Sequence, residues 1–192
     1  MAYGFAPITL TANTTVDRDS HANGPVIGLN AAAGLTVTLP AAVGSGDTYY
    51  FRVAALATSS SYIIKVASAT DFFVGEIMGA RTDSGNAVLG FCAANSGTVS
   101  TNSDTITLNR TTTGSVNVGE WIEVTDVASA TWQVRGMLTA TGAAFAIPLA
   151  MPELSLIWPG RFPQRTKMPA FSPSHSRETT QSCSSGSRGA SP

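Results

Sequence analysis

Two short stretches, Thr36-Val37-Thr38-Leu39 and Tyr50-Phe51-Arg52-Val53, decide the fold class of this 192-residue chain. Apolar and polar residues alternate along both stretches, and the side chains of a β-strand point alternately to its two faces. Each stretch therefore predicts a strand with one buried face. The predicted core residues are Val37, Leu39, Phe51, Val53, Ile122 and Val124, and the opposite faces carry Thr36, Thr38, Arg52 and Glu123.

A similar series of strands follows about 70 residues later. Residues 34–75 contain both stretches and then Tyr62-Ile63-Ile64-Lys65-Val66. Residues 103–142 contain Thr105-Ile106-Thr107-Leu108, Trp121-Ile122-Glu123-Val124 and Trp132-Gln133-Val134-Arg135. This weak repeat is explained either by two similar β-subdomains or by the loose self-similarity of any β-rich chain, and the sequence leaves both alternatives open.

The rest of the first 150 residues continues in the same manner. The Thr-rich residues 8–16 suit a half-buried strand, and turn-forming Gly, Ser, Asn and Asp residues separate the later apolar runs. We therefore predict an all-β fold, an antiparallel β-sandwich or flattened barrel, with an irregular C-terminal tail. The predicted divisions are an N-terminal arm with the first strands over residues 1–29, the body over residues 30–150 and the tail over residues 151–192.

The composition changes sharply near residue 150. Six of the ten prolines lie in residues 151–192, and serine is abundant near the end, so regular elements there would be interrupted repeatedly. The tail begins with an apolar cluster that would be costly to leave in water: Leu154, Leu156, Ile157, Trp158 and Phe162. Ordering of this segment on a partner surface is one explanation, and an out-of-frame extension of the natural chain is another.

Charge is scarce and unevenly placed. Charged residues make up 12% of the chain, against about 25% in a typical soluble domain. Residues 1–150 carry six Lys/Arg and ten Asp/Glu, a net charge of −4, whereas the tail carries five and two, a net charge of +3. An acidic body predicts no nucleic-acid binding, and short neutral side chains favour close packing against neighbouring molecules.

No combination of residues predicts a catalytic or metal site. His21 and His175 are the only imidazoles, and the polar segment around His21 is best explained as a turn between strands. Cys92 and Cys183 lack metal-ligand spacing and cannot make a dense disulfide framework, which favours folding in a reducing cytoplasm. We therefore expect no enzymatic activity, cofactor or bound metal. The lack of a secretory signal and of a long apolar run predicts no membrane association.

Residues 30–145 resemble β-rich virion proteins of tailed bacteriophages, of the head decoration (cement) or head-fibre type. The resemblance rests on residues 34–42, Tyr50-Phe51-Arg52-Val53 and Phe73-Val74-Gly75, and on the later segments 105–108, 119–124 and 132–136. It implies a non-enzymatic capsid decoration protein that is made in the cytoplasm of the host bacterium and lies on the outer surface of the capsid. Its expected partners are the major capsid protein and copies of itself, arranged as a trimer.

Two sets of contact residues follow from these alternatives. For a decoration protein, the candidates that contact the partner are Tyr3 and Phe5 in the N-terminal arm and Leu154, Leu156, Ile157, Trp158 and Phe162 in the tail. For a head- or tail-fibre module that binds host glycans, the candidates that stack on sugar rings are Trp121 and Trp132. A hydrolase is the third alternative, and it has the least support because no spacing selects a pair of carboxylates.

Overall fold

The computed structural model describes residues 5–82, 88–93, 102–141 and 149–150, and these residues are mostly β-strand. Thr, Val, Ile and aromatic residues fill the strands, as their branched or flat side chains suit a pleated surface. The elements of the described part are β1 (Ile8–Leu10), β2 (Thr14–Thr15), α1 (Arg18–His21), β3 (Val26–Leu29), β4 (Leu35–Thr38), β5 (Thr48–Val53), β6 (Tyr62–Lys65), β7 (Phe72–Arg81), β8 (Val88–Cys92), β9 (Thr105–Leu108), β10 (Trp121–Ala128), β11 (Thr131–Ala140) and β12 (Leu149–Ala150).

The strands form two sheets. The seven-stranded sheet has the order β1-β3-β5-β10-β11-β7-β8, and the five-stranded sheet has the order β12-β9-β6-β4-β2. In the centre of the larger sheet, Ile122 of β10 lies between Phe51 of β5 and Gly136 of β11. In the smaller sheet, Ile64 of β6 lies between Val37 of β4 and Ile106 of β9.

The predicted core is confirmed at every position named from the alternation. Val37, Leu39, Phe51, Val53, Ile122 and Val124 are all buried, whereas Thr36, Thr38, Arg52 and Glu123 have at least partial access to solvent. The buried residues belong to one hydrophobic cluster to which both sheets contribute. Each large apolar side chain in it stabilises the fold by about 1.5–3 kcal/mol through burial.

The prediction of an all-β fold is confirmed, but the prediction of antiparallel sheets is wrong. Five of the ten strand pairs among the described residues are parallel, including β11 with β7, β3 with β5 and β4 with β6. The remaining five pairs are antiparallel, so both sheets are mixed. Alternation reports which face of a strand is buried, and it carries no information about the direction of the neighbouring strand.

The two repeat segments do not form separate subdomains. In the five-stranded sheet, β6 of the first segment lies between β4 of the same segment and β9 of the second, and in the seven-stranded sheet β5 of the first lies beside β10 of the second. The third strands differ, because β6 belongs to the smaller sheet and β11 to the larger one. The two segments therefore share both sheets and one core.

The Thr-rich residues 8–16 form two strands instead of one. β1 pairs with β3 in the seven-stranded sheet, and β2 pairs with β4 in the five-stranded sheet. Between β1 and β2, the Asn13 side-chain oxygen accepts a hydrogen bond from the Thr36 amide at 2.8 Å. This bond fixes the segment in which the chain passes from the larger sheet to the smaller one. None of the helical structure in the described part has the length and apolar character to span a membrane.

Candidate functional site

The two candidate tryptophans lie in opposite environments. Trp132 on β11 is fully buried and meets Tyr49 edge to face, with ring centroids 5.8 Å apart. It is therefore a core residue and is not accessible to a sugar ring. Trp121 on β10 is half-buried on the outer face of the seven-stranded sheet, since the neighbouring Ile122 points into the core.

Trp121 is part of an aromatic patch with Tyr50 of β5. Their rings are nearly parallel, with an interplanar angle of 15° and centroids 5.8 Å apart. Arg52, two residues along β5, pairs with Trp121 across the strands, and its guanidinium carbon lies 6.0 Å from the centroid of the Tyr50 ring. A cation above an aromatic face is attracted by the ring quadrupole, which orients the Arg52 side chain across the patch. We call Tyr50, Arg52 and Trp121 the aromatic patch.

A cavity of about 300 Å³ opens on the other side of Trp121. Val118, Met137 and Trp121 supply apolar surface, and Asn117 and Thr139 supply an amide and a hydroxyl. The Asn117 side-chain nitrogen donates to the Thr139 hydroxyl at 3.2 Å. The volume is near the lower end of the range for ligand pockets. We call this space the Trp121 cavity.

The charges beside the aromatic patch are distributed unequally. Glu123 of β10 lies opposite Tyr50, and its carboxylate accepts from two nitrogens of Arg135, Nε at 2.8 Å and Nη2 at 2.6 Å. Arg52 is exposed and, within the described part of the chain, forms no ion pair with a carboxylate. Glu123, which lies opposite Tyr50 in the strand pairing, is thus already neutralised by Arg135, and the Arg52 charge remains available to a ligand.

A second polar cluster joins α1 to the turn between β4 and β5. Arg18 donates from Nη1 to Asp47 at 2.5 Å, from Nη2 to Asp126 at 2.9 Å, and from Nη2 to the Ala41 carbonyl at 2.7 Å. Hydrogen bonds from the Ser45 hydroxyl, the Arg18 guanidinium and the Asn23 amide lower the pKa of Asp47 to about 2. This cluster is a clamp that holds the segment around α1 against the body, and we call it the Arg18 clamp.

Asp126 is the anionic centre of the Arg18 clamp. It is fully buried and accepts from the amides of Val43 and Gly44, the latter at 2.7 Å, as well as from Arg18. Burial raises the pKa of Asp126, but these amides and the guanidinium outweigh burial, and the net pKa is lowered. Asp126 is therefore held ionised, as an anchor for a turn.

The other two buried carboxylates of the described part have the same role. Asp71 accepts from the Ala42 amide at 2.9 Å. Glu120 accepts from the amides of Ser115, Val116 and Asn117 at 2.6–2.9 Å, which fixes the loop beside the Trp121 cavity. Burial raises the pKa of Glu120, and its three amide donors offset this only in part.

The segment around His21 is a structural turn. Asp17 caps α1 by accepting from the Ser20 amide at 2.7 Å, and the His21 ring nitrogen Nδ1 lies 2.9 Å from the Asp17 carboxylate. The hydrogen bond from the Ser20 amide, helped by the Ser20 hydroxyl and the His21 ring, lowers the pKa of Asp17 against the opposing effect of burial. Among the described residues, no group of His, Cys, Asp and Glu side chains has the geometry to hold a metal ion.

The residues predicted for partner contact are mostly outside the described ranges. Phe5 is described, is 67% exposed and lies against Gly24, where an added Cβ would come within 2.2 Å of its ring. Tyr3 and the whole tail cluster lie outside the described residues, as does the tail as a predicted division. Their roles remain predictions.

Tyr50, Arg52 and Met137 were not among the predicted site residues. Alternation could have placed all three on an exposed face, because Tyr50 and Arg52 flank the buried Phe51 and Met137 precedes the buried Leu138. By the same rule, Trp121 precedes the buried Ile122. The same parity would have placed Trp132 in the core with Val134. Their closeness to one another depends on the pairing of β5 with β10 and of β10 with β11, which no local pattern specifies.

The chain matches no protein-family model, no curated protein and no solved structure. Its function is therefore inferred from its residues and their geometry.

Proposed function

We propose that the chain is a non-enzymatic structural protein of a tailed-phage virion, a decoration protein that binds the outside of the head. The supporting observation is how the fold uses its side chains. The three buried carboxylates of the described part all hold backbone turns, whereas large apolar side chains are exposed at the surface, among them Phe5, Val88 and Val118. Carboxylates that fix loops have a structural role, and exposed apolar side chains can pack against another protein. Both features suit adhesion better than catalysis.

The proposed partner is the major capsid protein, with further copies of the chain in a trimer at the local threefold positions. A protein that binds only the assembled lattice stabilises that lattice by mass action. Many copies, each bound weakly, then stabilise the shell together. We also infer that the two sheets face each other as a β-sandwich, because both contribute to one hydrophobic cluster.

The test is the location and effect of the chain on phage particles. Cryo-electron microscopy of virions that carry the chain should show it as regular density on the outer surface of the head. Heads lacking it should recover this density when purified protein is added, and should then resist heating better. Virions without the chain on the head, together with no binding of the purified protein to heads, would contradict the proposal.

The contact residues can be tested by matched substitutions. Phe5→Ser and Val43→Ser each replace one exposed apolar side chain and leave the core intact. If the N-terminal arm contacts the capsid, Phe5→Ser lowers occupancy on heads and Val43→Ser does not. Removal of residues 151–192 tests the tail cluster in the same assay, and unchanged occupancy would exclude the tail from the interface.

The second candidate function is recognition of host glycans by a fibre or receptor-binding module. The observation in its favour is the aromatic patch, in which Trp121 and Tyr50 are nearly parallel on an accessible sheet face. Trp132 has no part in it because it is buried. Binding of oligosaccharides by the purified chain, lost on substitution of Trp121, would support this function.

A further inference from the structure

We infer that the aromatic patch and the Trp121 cavity form a binding site for an acidic saccharide, a sugar unit that carries a carboxylate. The inference rests on the second candidate function and specifies its ligand. It brings Tyr50 and Arg52 into the site with Trp121. The three side chains come from two adjacent strands, β5 and β10, near the centre of the seven-stranded sheet.

The aromatic rings supply the apolar part of the site. One face of a pyranose ring presents C–H groups, which pack against a flat aromatic surface, and Tyr and Trp offer such a surface with a polar tip. Trp121 and Tyr50 stand nearly parallel on one sheet face, and both are half-exposed. Their backbones are held by the β5–β10 ladder, so that the surface is formed before a ligand arrives.

The Trp121 cavity supplies space for a sugar ring beside the surface formed by Trp121 and Tyr50. Trp121, Val118 and Met137 line its apolar part, and Asn117 and Thr139 add groups that can donate to or accept from sugar hydroxyls. Glu120 fixes this wall by accepting from the Asn117 amide at 2.8 Å. Mixed apolar and polar lining in a preformed cavity is typical of small-ligand sites.

Arg52 determines the charge of the ligand. A guanidinium binds a carboxylate through two parallel hydrogen bonds, and such charge-assisted pairs are stronger than neutral ones. Glu123 lies opposite Tyr50 in the strand pairing, and its carboxylate is engaged by Arg135. Glu123 therefore does not neutralise Arg52, and its repulsion of an incoming anion is reduced. An exposed cation beside two aromatic rings thus complements an acidic sugar better than a neutral one.

The experiment is calorimetric titration of the full chain with matched oligosaccharides. The acidic probes are trigalacturonate, a sialic acid trimer and a hyaluronate hexamer, and the neutral probes are galactotriose and maltotriose. We expect at least one acidic probe to bind about tenfold more tightly than every neutral probe. Arg52→Gln should remove this preference, and Trp121→Leu should weaken binding of the acidic probe by about tenfold or more.

Arg110→Gln is the matched control, since Arg110 is also an exposed cation but lies just beyond the end of β9, a strand of the five-stranded sheet. It should leave affinity unchanged within about twofold. Tyr50→Leu replaces Trp121→Leu if the latter variant fails to fold, as judged by its melting temperature. Equal affinity for acidic and neutral probes would overturn the inference about Arg52 while leaving glycan recognition in place. No binding to any probe would overturn both the inference about Arg52 and the recognition of glycans. Binding of purified heads in place of saccharides, lost in Arg52→Gln and Trp121→Leu, would also overturn both.

Discussion

Arg18 and Asp126 are 108 positions apart in the sequence, yet the Arg18 guanidinium donates to the Asp126 carboxylate at 2.9 Å. Asp126 is fully buried, and about a quarter of the Arg18 side chain is exposed. The pair connects the short helix α1 near the N-terminus to β10, a central strand of the larger sheet. An ion pair of this kind fixes one arrangement of the chain even where its net contribution to stability is modest.

Removal of the Arg18 guanidinium should destabilise the fold. Arg18→Gln leaves a buried carboxylate without its cation, although Asp126 keeps its bonds to the Val43 and Gly44 amides. We expect a loss of about 2–3 kcal/mol in the free energy of unfolding, measured with urea at pH 7. Arg110→Gln is the control because Arg110 is exposed, and it should change stability by less than about 0.5 kcal/mol. Equal effects of the two variants would contradict the role of the clamp.

Stability should fall in acid because of the same clamp. The pKa of Asp47 is about 2 in the folded protein against 3.8 as its ordinary value, and that of Asp126 is also lowered. A carboxyl with a depressed folded pKa stabilises the fold above its unfolded pKa, and this contribution is lost as the pH falls through the folded pKa. Unfolding free energies should therefore decrease from about pH 4 towards pH 2.

Asp47→Asn should make this acid dependence shallower, since it removes one of the titrating groups. Glu120 works in the opposite direction, because burial raises its pKa and protonation then favours the folded state. Urea titrations at several pH values between 2 and 6 give the slope for each protein. An identical slope for Asp47→Asn and the unchanged chain would show that Asp47 is not responsible.

A glycine in the interior of β7 is required by the backbone. Gly75 has a φ of +110°, and a Cβ added there would lie 2.3 Å from the Val134 carbonyl oxygen on β11. Gly75→Ala should cost at least about 2 kcal/mol of unfolding free energy. Gly90→Ala, in β8 of the same sheet, is the control, since a Cβ there meets no atom within 4 Å. If both variants melt at the same temperature, the close approach of β7 to β11 is incorrect.

Substitution of the two tryptophans of the body should have unequal effects on stability. Trp132→Ala removes a fully buried ring from the core and should cost about 3–5 kcal/mol. Trp121→Ala removes a half-exposed ring and one stacking contact with Tyr50, and should cost about 1 kcal/mol. Thermal unfolding monitored by circular dichroism measures both. A larger loss for Trp121 than for Trp132 would contradict their assignment to the surface and the core.

Local sequence determined that the segments around Phe51 and Ile122 form strands and which face of each is buried. The alternation around Phe51 and Ile122 requires no partner, because the period of two is a property of the strand itself. It correctly gave the core residues. The same rule could have separated Trp121 from Trp132, since each tryptophan neighbours residues whose placement in the core or at the surface was already predicted.

Only the tertiary structure decided which strands are neighbours and in which direction they run. Hydrogen bonds between strands join backbone groups that every residue carries, so the sequence of one strand does not select its partner. The parallel pairing of β11 with β7, the Arg18 clamp and the meeting of Arg52 with Trp121 all depend on that choice. Such contacts join residues that are distant in the chain, and they exist only once the sheets have formed.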